Sequence, residues 1–109
     1  MTFEVCLTSQ AKQDLCDIYD YIACDLQNPI AADGLISRLE KAILKLDEMP
    51  ERFRAYEKEP WHSRGLRVMP VEHYIVYYIP DSERHIVSIV RVLYGGRNME
   101  EQLRKTNQI

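Results

Sequence analysis

Three arginines carry the first chemical signal in this chain. Arg67 and Arg91 interrupt strand-like runs of Val, Ile and Tyr, and Arg97 follows Gly95-Gly96 at the end of the last run. A strand built only for packing prefers an apolar or neutral residue at such positions. These guanidiniums therefore place positive charge in or beside a packed sheet, where they could grip acidic side chains of a partner, hold a phosphate, or neutralise carboxylates of the chain itself. A buried arginine must have some such partner. The glycine pair allows backbone angles that would turn Arg97 off the sheet. His62, His73 and His85 are the candidate proton carriers, two near strand ends and one in a loop, where solvated or structural roles are expected of them. Cys6, Cys16 and Cys24 are odd in number and show no C-x-x-C spacing, so neither disulfides nor a zinc site is expected. Cys16 and Cys24 fall on a predicted helix, where a reduced thiol acts as a small apolar residue. No metal and no cofactor is expected.

The elements that position these groups follow from apolar spacing. Phe3, Val5 and Leu7 alternate with Glu4 and Cys6, which predicts a first strand. Ser9 offers an N-cap, and Ala11, Leu15, Ile18, Ile22 and Leu26 then recur at helical steps. Asp14, Asp17, Tyr21 and Asp25 follow the same period on another face, expected to be solvated, so that neutralising the three aspartates together should leave function unchanged. Asn28-Pro29 supplies a cap and a first-turn proline for a second helix, whose stripe is Ala32, Leu35, Ile36, Leu39, Ile43 and Leu46 and whose end Pro50 fixes. Residues 50–64 have no clean period, but Phe53, Tyr56 and Trp61 predict a loop that packs down, with Trp61 sealing it on the core.

Three strands follow, Leu66–Val71, Tyr74–Ile79 and Ile86–Tyr94, joined at Val71-Glu72-His73 and Pro80–Arg84. Asn98 with Glu101 forms a capping-box pattern for a short terminal helix. The order β-α-α-β-β-β predicts one α+β domain over residues 1–109, a helical hairpin packed on an antiparallel sheet. Tyr74, Val76 and Tyr78 share one face of the middle strand and Ile75, Tyr77 and Ile79 the other. A single hairpin covers one face, so some of the second is expected to await another chain.

The chain is 109 residues long, 46% hydrophobic and 28% charged, in the range of one globular domain. No apolar run approaches the roughly 18 residues of a membrane-spanning helix, and no basic-then-apolar leader opens the sequence, so a cytoplasmic setting without membrane association is expected. The net charge of −3 is unevenly placed: residues 1–51 carry four Lys/Arg against ten Asp/Glu, and residues 52–109 carry ten against seven. Such a dipolar chain lacks the positive excess that general nucleic-acid binding requires.

Several fragments together resemble a known family. DLCDIYDYIA, NPIAADGLISRLEKAILKL, MPERF, PW, GLR, MPVEHYIVYY and RVLYGGR, in that order and over nearly the whole chain, are similar to the RelE/ParE superfamily of type II toxin–antitoxin toxins, including those described as plasmid stabilisation proteins. The resemblance implies a growth-inhibiting bacterial toxin held off by a cognate antitoxin in a hetero-oligomer. It also implies one of two targets: messenger RNA in the ribosome, cut without a metal, or DNA gyrase.

Metal-free RNA cleavage needs a base, an acid and cations around the crowded phosphate. By resemblance the candidates for that work are Arg91, Tyr94 and Arg97. The RelE pattern, however, has an arginine directly after the tyrosine that opens the middle strand, where this chain has Ile75 after Tyr74. It also has a tyrosine on the terminal helix, where this chain offers Glu100, Glu101 and Gln102. The implied reading is ParE-like, with a RelE-like ribonuclease or a degenerate antitoxin-binding module as alternatives. The residues expected to grip antitoxin or target are Arg67, Tyr74, Tyr78, Arg91 and Arg97.

Overall fold

A computed structural model describes residues 2–95, 99–104 and 106 of the chain. The element order is β1 (Glu4–Leu7), α1 (Ser9–Asp20), a π turn (Tyr21–Asp25), α2 (Pro29–Leu44), β2 (Arg67–Val71), β3 (Tyr74–Asp81), β4 (Ile86–Tyr94) and α3 (Met99–Arg104). The strands lie in the order β1-β4-β3-β2. The expected α+β fold is the one observed. Its sheet is antiparallel from β2 to β4, and β1 adds to β4 in parallel, Leu7 opposite Ile89, so the whole sheet is mixed.

The caps explain where the helices start. Asn28 accepts from Ala31 N and Pro29 opens α2, as the sequence predicts. At α1 the cap is Thr8 rather than Ser9: Thr8 has extended backbone angles and its hydroxyl accepts from Ala11 N. The α2 helix stops at Leu44 in a 3-10 turn, Lys45–Asp47, and Pro50 begins a separate turn further on.

The hairpin stripe packs on one sheet face. Ala11, Leu35, Leu39 and Ile43 meet Val76, Tyr78, Ile89 and Val92 in one buried cluster. The second face is not left open. Trp61, Leu66 and Leu103, brought by the 50–66 segment and α3, bury Val68, Tyr77, Val90 and Leu93. The apolar surface expected to await another chain is covered by the chain itself, because the irregular segment folds across it. Trp61 is the seal expected of it, 6% exposed. Bridging of Ala55 to Arg67, with Val68 N donating to Arg54 O, also closes part of the β2 edge. All three cysteines are free and exposed rather than packed as apolar residues.

The two central tyrosines of β3 record this burial from both sides. Tyr77 lies in the second cluster, and Tyr78 in the first with its hydroxyl donating to Pro50 O at 2.5 Å. Burial pushes each phenol up to about 12, against about 10 when unfolded. The neutral phenols therefore favour the folded state in full below pH 10, and that contribution disappears as pH rises from 10 toward 12. Phenolate absorbance should show Tyr77 and Tyr78 among the tyrosines that ionise late in the native protein, with unfolding stability falling over the same interval. Uniform titration of all tyrosines near 10 in the folded protein would contradict this packing.

Candidate functional site

A mismatch of strand lengths creates the site. β1 pairs with β4 only as far as Leu7 and Ile89, yet β4 runs on to Tyr94. The exposed edge of β4 beyond that point needs partners for its backbone groups, and α1 supplies them. Thr8 donates its amide and its hydroxyl to Ile89 O, and the hydroxyl also reaches Val90 O. Farther along the helix, Asp14 Oδ2 accepts from Val92 N at 2.9 Å.

Arg91 completes this junction. The register of β3 and β4 slips between Tyr77 and Tyr78: Tyr77 faces Arg91, Tyr78 faces Ile89, and Val90 is left over as a bulge. A bulge re-aims the neighbouring side chain, and here the guanidinium reaches the Asp14 carboxylate with both arms of its fork, Nε to Oδ2 at 2.7 Å and Nη2 to Oδ1 at 2.8 Å. Its Nη1 donates to Gln102 O and to Thr106 Oγ1. Every nitrogen of Arg91 is thereby engaged, and the side chains of the pair are about one-tenth exposed. Hydrogen bonding to Asp14 holds the Arg91 pKa above its ordinary value against the opposing effect of burial.

Beside this pair lies a groove of about 830 Å³ between the first helix and the end of β4. Ile18, Tyr21, Ile22 and Leu26 form one wall, Tyr74 and Tyr94 the other, with Asp14, Asp17, Arg91 and Gln102 among the polar lining. The two wall tyrosines meet edge to face at 5.6 Å. Burial, then the neighbouring Tyr94 and Tyr21 phenols, raise the pKa of Tyr74. Tyr21, Leu26 and Tyr94 are each about half exposed. The π turn sets this wall: Leu26 N donates to Tyr21 O and Asn28 N to Ile22 O, and the wider turn inserts about one extra residue. Leu26 lines the groove beside Ile22.

The sequence pattern of the family described as "ParE toxin of type II toxin-antitoxin system, parDE" matches residues 5–99. The chain belongs to the ParE toxin family. No curated protein matches the sequence significantly. Among solved structures, this toxin is similar to a chain of the chromosomal ParDE system of P. aeruginosa, with a TM-score of 0.69 at 19% identity over 85% of this chain and 96% of that one. It is similar to a chain of the RelBE2 toxin–antitoxin complex of Mycobacterium tuberculosis, with a TM-score of 0.61 at 22% identity over 86% and 99%. A double arginine-to-alanine mutant of the E. coli toxin RelE in the free state gives 0.65 at 12% identity over 94% and 93%. At these identities the likenesses establish a shared fold.

The structure separates the residues singled out in the toxin's sequence. Arg91, Tyr74 and Tyr94 come together at the groove. Arg67 lies elsewhere, its Nη1 donating to the backbone carbonyls of Glu51 and Phe53. These bonds tie down the irregular segment. Tyr78 is corrected as a gripping residue, since it is fully buried with its hydroxyl bonded to Pro50. Arg97 and the proposed cap Asn98 lie outside the described residues.

None of the three histidines lines the groove. His62 Nδ1 pairs with Tyr56 O, and the His85 ring meets Phe3 edge to face. No cluster among the described residues could hold a metal ion. Asp14 is the residue that sequence reasoning misassigned. It was grouped with a solvated face, and it is 8% exposed with three hydrogen bonds to β4. The helical period alone could not separate it from Asp17; the signal was a lone arginine in a strand in need of an anion.

Removing one partner of such a buried pair leaves the other charge uncompensated. Asp14→Ala should lower unfolding stability by about 3 kcal/mol, read from the denaturant midpoint. Asp17→Ala on the exposed face should change it by less than about 0.5 kcal/mol. Equal effects at the two positions would contradict the assignment.

Proposed function

We propose that this toxin is a ParE-like growth inhibitor acting in the cytoplasm on DNA gyrase, and that a cognate antitoxin silences it by occupying the groove between α1 and β4. The observation that carries the reading is the engagement of Arg91 within the fold. Asp14, Gln102 and Thr106 take four of its five N–H donors, which ties the guanidinium to the junction rather than to a phosphate. Ile75 supports the same reading: it packs toward the second cluster where the RelE pattern has an arginine, and a hydrocarbon cannot neutralise developing charge. The groove supports a protein occupant, because half-exposed Tyr and Leu side chains around an apolar cleft are typical of protein recognition.

A RelE-like ribonuclease is the second reading, favoured by the exposed phenol of Tyr94 at the open end of the groove and by the fold shared with RelE. A degenerate module that binds antitoxin without toxicity is the third.

Induction without antitoxin distinguishes these. The expected result is growth arrest accompanied by gyrase-dependent DNA cleavage, with transcripts intact. Codon-linked transcript cleavage while gyrase supercoils normally would favour the ribonuclease, and normal growth at good soluble expression would favour the degenerate module.

A further inference from the structure

The two edges of the sheet are finished differently. At the β2 edge the Ala55–Arg67 bridge, with Val68 N donating to Arg54 O and Tyr56 N to Leu66 O, brings the irregular segment alongside the strand. The other edge is β1, whose register with β4 is unbroken from Glu4 to Leu7 and whose residues include no lysine or proline to guard it. Glu4 N donates to His85 O and Thr8 N to Ile89 O, so alternate residues spend their backbone groups on β4. That alternation turns the N–H and C=O groups of Val5 and Leu7 outward. Phe3 points the same way and donates its amide to Asp47 O; among the described residues no such closure reaches Val5 or Leu7. An edge with open backbone groups is a template for another strand.

We infer that a second copy of this chain pairs antiparallel with β1, joining two four-stranded sheets about a two-fold axis at Cys6. The strand is self-complementary in that register. Val5 of one copy exchanges backbone hydrogen bonds with Leu7 of the other, and Leu7 with Val5, so the outward groups of both residues are paired. Glu4 then lies across from Thr8 of the second copy, which keeps the two carboxylates apart. Cys6 faces its own counterpart at the axis, a non-hydrogen-bonded position where the Cα atoms approach to about 4.5 Å. The side chains fit this arrangement. Phe3, Val5 and Leu7 pack on the hairpin cluster, while Glu4 and Cys6 are exposed, with Cys6 Sγ 3.8 Å from Glu4 Oε2. The axis runs from face to face of the joined sheet, so both helical hairpins lie on one side of it. With only Val5 and Leu7 of each copy in the ladder the contact is small, and pairing is weak and concentration-dependent. It uses none of the residues that line the groove.

Cysteine cross-linking of the full-length toxin tests both the pairing and its register. Cys16 and Cys24, also exposed, are replaced by Ser, which leaves Cys6 as the one thiol. Oxidised glutathione serves as the oxidant: two Cys6 thiols give up two protons and two electrons to form one disulfide, and the reagent becomes two glutathione thiols. A Cα separation of about 4.5 Å lies within the range a disulfide spans, so a covalent dimer is expected on non-reducing gels. Glu4→Cys in the same background with Cys6→Ser puts a thiol on the same exposed face but about 13 Å from its counterpart, and is expected to stay monomeric. Val5→Pro removes an outward donor without touching the ladder to β4. It should slow Cys6 linking by about tenfold with circular dichroism unchanged. Equal linking from positions 4 and 6, or no more linking from Cys6 than from a chain keeping only Cys16 or only Cys24, would overturn the inference. So would undiminished linking in a folded Val5→Pro chain; if that variant does not fold, the comparison of positions 4 and 6 decides.

Discussion

The contact between Asp14 and Arg91 is the interaction on which the rest of this half of the molecule depends. It exists because β4 outruns β1, leaving an edge that the sheet itself does not satisfy. A helix starting at Thr8 crosses that edge, and its carboxylate takes both the Val92 amide and the Arg91 fork. The bulge at Val90 allows the fork to leave the sheet at the right place. Its Nη1 donors hold the backbone of Gln102 and the hydroxyl of Thr106, so one side chain joins the first helix, the last strand and the terminal helix. Two charges taken from water are tolerated here because their geometry is bidentate and the neighbouring lone pairs are filled.

That architecture has a functional consequence. Arg91 is tied into the fold by Asp14, Gln102 and Thr106, which accounts for an arginine in the last strand without calling on a phosphate. What the junction exposes is a groove with apolar walls and aromatic rims. The π turn widens the helix at the point where the groove needs Tyr21, Ile22 and Leu26 together, an irregularity of the kind that recurs at functional sites. Membership of the ParE toxin family agrees with an antitoxin protein as a partner of this chain.

Local signals in the sequence carried the fold a long way. The hairpin with its Asn28-Pro29 start, the three-strand meander and the packed Trp61 all rest on spacing and turn chemistry within a few residues, and they appear where expected. The features that were missed depend on contacts between distant residues. Asp14 meets Arg91 across 77 positions, and Arg67 meets Phe53 O across 14; period and propensity say nothing about either. Tyr78 looked available because alternation gives a face but not what covers it. The second sheet face looked open because a segment without period gives no sign of where it will lie. The π turn escaped notice because Ala, Leu and Ile spacing tolerates one inserted residue without losing its apolar stripe.

The central claim is that Arg91 serves the fold and not a reaction, and a paired replacement tests it directly. Asp14→Leu with Arg91→Met removes both charges while keeping apolar volume, a change that buried ion pairs often tolerate. Unfolding and growth arrest would be measured on the same variant. The account predicts a folded toxin that still arrests growth on induction. A variant that folds as stably as the parent and no longer arrests growth would contradict it, because it would place the Arg91 charge in the toxic step.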